Sequence, residues 1–164
     1  MTGLLTRGLG FAGPLVTRGL GGVAPATVPD LRAALVAYLL ADGTLASLVG
    51  SRLHPGYRPQ GEAVPALCYA IRSNARRRAL NGTAGFSEAK VDLTVWALSV
   101  ADCVRVKARL EDLLDNQVGS WSGLFVRSFQ EDEGDDHVWP DDGSASSFTR
   151  LLVTYSVRHR TRLA

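Results

Sequence analysis

An α+β fold is predicted for this sequence: two helices packed on one face of an antiparallel sheet of four strands or slightly more. Three observations carry it. Apolar residues recur at helical spacing twice, at Leu31, Leu35, Tyr38 and Leu39 and again at Cys103, Val106, Leu110, Leu113 and Leu114. Strict alternation appears between them, in Leu67, Tyr69 and Ile71 and in Val91, Leu93, Val95 and Ala97. An Asn81-Gly82 turn signal separates the two alternating stretches, which makes them the arms of one long hairpin.

Residues 1–26 are glycine-rich and follow neither period. Leu4-Leu5-Thr6-Arg7-Gly8-Leu9-Gly10 returns eleven residues later as Leu15-Val16-Thr17-Arg18-Gly19-Leu20-Gly21. Glycine is costly to order and the segment has little apolar surface, so a flexible extended arm is expected. It is either an unstructured tail or an arm that docks in two equivalent ways on a partner. The folded domain is placed at 27–164. Thr27 with Asp30 three residues on reads as a capping box for the first helix, and Gly43 as its stop. Thr44 to Val49 adds a further turn or two before Gly50, and Arg52 to Gln60 is an extended connection.

The hairpin follows, with Arg76, Arg77 and Arg78 near its projecting tip. Ser99 and Asp102 form a second capping box, and the apolar stripe behind it runs down to Gly119. Lys107 and Glu111 pair on its outer side. Leu124 to Gln130 and Phe148 to His159 read as the last two strands, joined by an acidic loop and a Gly/Ser linker.

Composition narrows the function. The formal charge is +2, too small to imply nucleic acid alone, but seven of the sixteen acidic residues lie between Glu131 and Asp142. The cations are arginines apart from Lys90 and Lys107. Cys68 and Cys103 sit in apolar patterns and read as buried reduced thiols. The N-terminus lacks a signal-peptide pattern, and the longest apolar run, Ala33 to Ala41, is too short to span a bilayer. A soluble, cytoplasmically made protein with no membrane partner is expected.

The sequence carries no catalytic constellation. His54, His137 and His159 occupy separate segments with no linking spacing, and no nucleophile, phosphate-loop or dinucleotide motif occurs. The acidic stretch lacks the alternating ligands of a calcium loop. No aromatic residues interleave with Arg76–Arg78, which favours a protein contact or a solvated hairpin tip there over nucleic acid. No enzyme, metal or cofactor is expected.

The stretch LLADGTLASLVGSRLHPGYRPQGEAVPALCYAI resembles the start of phage tail-completion proteins, also called tail terminators or head–tail joining proteins. Ala41, Asp42, Leu45, Leu48, Val49, Gly50, Arg52, Leu53 and Pro65 carry the resemblance. KVDLTVWALSVADCVRVKARLEDLLD is similar to that family's strand–helix unit, so the likeness covers about residues 29 to 157. It implies a structural virion protein without enzyme activity or cofactor. Such a protein forms a ring, usually a homohexamer, at the head-proximal end of a siphophage or gene-transfer-agent tail. Its partners would be itself, the tail tube protein and the head–tail connector or stopper, with DNA passing through the channel unbound. The duplicated arm and the acidic loop depart from the shorter family pattern. The alternative is a small nucleic-acid-binding module using the Arg76–Arg78 hairpin.

The residues expected at interfaces follow from charge and repetition. In the arm they are Leu4, Leu5, Arg7, Leu15, Val16 and Arg18. In the hairpin they are Arg76, Arg77 and Arg78. In the acidic loop they are Glu131, Asp132, Glu133, Asp135 and Asp136. The hairpin or the loop is expected to reach a neighbour; alternatively, the loop faces the channel.

Overall fold

The computed structural model describes residues 30–79, 82–133, 137–140 and 147–160. Leu4, Leu5, Arg7, Leu15, Val16, Arg18, Thr27, Asn81, Asp135 and Asp136 lie outside them, as does the boundary between arm and domain.

Helix α1 spans Leu31–Leu40. It starts later than the Thr27 capping box implied: Asp30 stands at the N-cap with an extended ψ of 135°, and its side chain caps nothing. Gly43 does not stop α1 but opens α2, Gly43–Val49, where Asp42 accepts a hydrogen bond from the Leu45 amide at 2.7 Å. The chain passes between the helices at Ala41 and Asp42, and Gly50 at φ 59° ends the second.

The expected connection after Arg52 contains a short strand, β1 (Leu53–Pro55), parallel to β2 (Ala66–Ala79). Arg52 fixes it: its Nε donates to the Pro65 carbonyl at 2.8 Å, and its own carbonyl accepts from the Leu67 amide at 2.9 Å. β2 and β3 (Gly82–Ala97) form the long hairpin, in register from Ala66 opposite Trp96 to Ala79 opposite Gly82. Bulges interrupt it between Ile71 and Ser73 and between Arg76 and Arg78.

Helix α3 (Val100–Leu114) has the predicted box: the Asp102 amide donates to Ser99 Oγ at 3.1 Å, and Ser99 Oγ donates to the Asp102 carboxylate at 2.7 Å. It ends five residues before Gly119. Asp115 leaves the helix with an extended ψ of 134°, and Asn116, at a left-handed φ of 51°, turns the chain into β4 (Gln117–Trp121). Ser122 and Gly123, both at positive φ, then turn the chain tightly into β5 (Leu124–Glu133). β6 (His137–Pro140) and β7 (Ser147–Arg160) complete the described elements.

The result is α+β, with the sheet larger than four strands and mixed. Seven strands run in the order β1-β2-β3-β7-β5-β4, with β6 paired to β7 beside β5. Three helices take part, one more than expected, because α2 is a helix in its own right. They share one core with a single face of the sheet: Leu35, Leu39, Leu45, Val106 and Leu110 join Leu93, Val95, Val126, Val153 and Val157. Burying each large aliphatic side chain contributes about 1.5–3 kcal/mol. Tyr38 stacks on Trp121 with ring centroids 5.3 Å apart and donates its hydroxyl to the Leu113 carbonyl at 3.1 Å.

Candidate assembly surface

The opposite face of the sheet carries the charged residues, and strand register decides which of them meet. Arg76 and Arg78 on β2 stand opposite Ser87 and Thr83, with Arg77 in the bulge between them. Next along β3, Phe86 faces Arg160 and Glu88 faces Arg158 on β7. Arg158 in turn faces Arg127 on β5. Six arginines from three strands thus lie at one end of the sheet: Arg76, Arg77, Arg78, Arg127, Arg158 and Arg160, all exposed.

Glu88 is the carboxylate among them. It accepts from Arg77, lies 3.8 Å from Arg158 Nε, and takes the Ser156 hydroxyl at 3.3 Å. The Arg77 hydrogen bonds hold its pKa below the ordinary glutamate value. Phe86 and Phe125 remain 38% and 52% exposed here, with the Arg160 guanidinium 6.0 Å from the Phe125 ring. They flank a recess of about 300 Å³, lined also by Arg127, Arg158 and His159.

The middle of this face is neutralised. Asp92 accepts from Arg72 and from the Thr154 hydroxyl, each at 2.8 Å. Lys90 Nζ lies 2.8 Å from Glu131. Glu131, Asp132 and Glu133 are not in a loop: they belong to β5, with Asp132 and Glu133 opposite Thr154 and Val153. The expected acidic loop is therefore divided by β6, because extended backbone there finds the free edge of β7. At the far end, Arg58 lies over Phe148 and Trp96, at 4.4 and 5.8 Å from their centroids.

Of the predicted interface residues, Arg76, Arg77 and Arg78 lie at this end of the sheet, Arg76 opposite the buried Ser87 and so in phase with the covered face, while Glu131 is engaged with Lys90 and Arg77 with Glu88. Sequence reasoning missed Arg127, Arg158, Arg160, Phe86 and Phe125. The alternation Arg158-His159-Arg160 was visible, but only the register brings it beside Arg127 and the hairpin.

Other polar groups serve the fold. Asp42 accepts from Arg109 at 3.0 and 2.6 Å, which ties α2 to α3 and holds the Asp42 pKa down to about 2. Cys68 and Cys103 are both buried thiols outside any disulfide, and burial pushes Cys68 up to about 11. His54 lies 3.8 Å from Glu62, and His159 sits between Asn74 Oδ1 and the Arg160 carbonyl, its pKa lowered by burial. Among the described residues no cluster of His, Cys, Asp and Glu is placed to hold a metal.

No curated protein matches this sequence. A solved chain from the virion of a native gene transfer agent particle has the same fold at a TM-score of 0.60. It is 18% identical, and the alignment covers 79% of this chain and 94% of that one. A second solved chain, 14% identical over 79% of this chain and 96% of its own, scores 0.49. The family model of tail completion protein gp17 matches residues 33–159, taking in α1 but its first two residues, the other two helices, the hairpin and all of β7 but its last residue. The chain belongs to the tail completion protein gp17 family, structural proteins of the phage tail whose place is the virion.

Proposed function

We propose that this protein forms a ring at the head-proximal end of the tail, where it ends the tube and joins it to the head connector. The two edges of the sheet carry this reading. β1 covers β2 only from Leu67 to Tyr69, so Ala70 to Ala79 offer an outer edge without a strand partner among the described residues. The outer edge of β4, at the other side of the sheet, is likewise unpaired. Two different edges on one subunit pair head to tail, and such contacts close into rings when the rotation permits. DNA passes through the channel without specific binding. The segment 1–26 acts as a separate arm that lies along a neighbour or the connector, with Leu4-Leu5 and Leu15-Val16 as two weak docking points that gain from effective concentration. Against the nucleic-acid alternative, one of the three hairpin arginines is already held by Glu88.

The test is sedimentation velocity, with and without tail-tube and connector proteins, on the full chain and on a chain lacking residues 2–22. A closed oligomer several times the 17.5 kDa subunit is expected. The deletion should preserve the ring and weaken joining to the connector. A chain that stays monomeric under every condition removes the ring, and unchanged joining after the deletion removes the arm's role.

A further inference from the structure

The open face ends in two rows that cross three adjacent strands. In the outer row Phe86 on β3 stands opposite Arg160 on β7. Phe125, one residue before the Val126–His159 pair, lies on the other side of Arg160, whose guanidinium is 6.0 Å from its ring. Two residues inward, Arg158 stands between Glu88 and Arg127. The sequence keeps aromatic residues away from Arg76–Arg78, but the register interleaves two exposed rings with these other arginines. Both rings line the end recess, and no carboxylate among the described residues lines it with them. The larger recess further along the sheet is different: Asp115 and Glu131 join Arg127 and Arg158 there, which makes it mixed in charge.

We infer that the end recess binds single-stranded nucleic acid without regard to sequence, bases stacking on Phe86 and Phe125 while phosphates pair with Arg127, Arg158 and Arg160. The donors come first. Arg127 makes no hydrogen bond or ion pair through its side chain with any described residue, and Arg158 has only a 3.8 Å approach to Glu88. Guanidinium forks of this kind suit phosphate oxygens. Acceptors are scarce. Glu88 already takes hydrogen bonds from Arg77 and Ser156, and the ring nitrogens of His159 are engaged by Asn74 Oδ1 and the Arg160 carbonyl. β3, β7 and β5 each have a strand on both sides, so no backbone edge is open at the recess. A peptide laid there would leave its amide N–H groups without acceptors, which is costly. A phosphodiester backbone presents acceptors, and every base has a face to stack. The rings then select single strands. Phe86 and Phe125 flank β7, about 10 Å apart at two strand spacings, within reach of successive bases of a splayed strand. A duplex offers phosphates but keeps its base faces covered. The site is complete in one subunit, so it goes beyond the ring reading and does not depend on it.

Fluorescence anisotropy of the full-length protein with a labelled oligothymidylate of about 12 nucleotides, within the span of single-strand sites, tests this. Binding should weaken as salt rises, with a log–log slope of about −2 for three arginine–phosphate contacts. Arg127→Glu/Arg160→Glu should lower the affinity roughly tenfold or more. Phe86→Ala/Phe125→Ala should lower it by a similar factor of roughly ten while keeping the salt slope, because stacking releases no counterions. Urea midpoints equal to the wild type confirm folding; if the double aromatic variant unfolds, Phe125→Ala at the more exposed ring takes its place. A wild type that does not bind the oligothymidylate at low salt overturns the inference. So does an aromatic variant that binds as tightly as the wild type, or a duplex of equal length that binds as tightly as the single strand, since either makes the recess a plain basic patch. An oligoglutamate peptide that displaces the strand at equal concentration makes it a peptide surface and also overturns the inference. Sedimentation reads the oligomeric state separately, so loss of the ring leaves this site standing and loss of the site leaves the ring standing.

Discussion

On strand β3, Val91, Leu93 and Val95 disappear beneath the helices, while Lys90, Asp92 and Thr94, one position out of phase, face the other side of the sheet. The covered face is mainly apolar, and the buried Ser128 hydroxyl in it donates to the Leu114 carbonyl. The open face is held by ion pairs at its centre and leaves cations and aromatic rings unmatched at one end. The contrast separates two jobs. Residues under the helices secure the fold, and residues at the basic end can change without touching that core, so the second set is free to serve assembly.

The largest effect should come from the covered face. Leu110 is fully buried between α3 and the sheet, so Leu110→Ala should cost about 2–5 kcal/mol in urea unfolding, from lost burial plus the cavity left behind. Arg160→Ala on the exposed end should stay within about 0.5 kcal/mol. Equal losses at the two sites would erase the distinction between the faces.

A smaller effect is expected at Asp42, which caps α2 and ties it to α3 through Arg109. Asp42→Ala should cost about 1 kcal/mol. Its pH dependence is specific. The folded pKa of about 2 lies below the ordinary aspartate value of 3.8, so the stabilisation is fully present above 3.8 and is lost as pH falls toward 2. The gap between wild type and variant should therefore close on acidification through that window. A gap that stays constant from neutral pH down to acid would mean that the charge on Asp42 contributes nothing.

What the sequence revealed follows the same division. The covered face was legible because burial imposes a period: 3.6 in α3, 2 in β3, with Ser99 and Asp102 marking a helix start in plain text. Short edge elements were not. β4 was read as the tail of α3, since Gly119 resembled a stop signal, while the actual break is the extended Asp115 followed by the left-handed Asn116. β6 was hidden in an acidic stretch that has no strand pattern of its own and pairs only because β7 offers an edge. The basic end was half legible. Three adjacent arginines stand out in any sequence, but Arg127, Arg158 and Arg160 join them only through registers spanning four strands.

The smallest effect should be found at the centre of the open face, and it is the sharpest check on the comparison. Arg72 pairs with Asp92 there, yet its side chain is 56% exposed, so solvent screens most of the attraction. Arg72→Ala should cost under about 1 kcal/mol, as exposed pairs generally do. Asp92 is better covered, at 14% side-chain exposure, but it keeps the Thr154 hydroxyl when Arg72 is removed. The remaining carboxylate is therefore not left without a donor, which is the condition that makes a broken pair expensive. Urea midpoints for Arg72→Ala and Asp42→Ala measured side by side decide the matter. If the Arg72 change costs more, the ion pairs of the open face are part of what holds the fold, and the face as a whole is less free for assembly than its basic end implies.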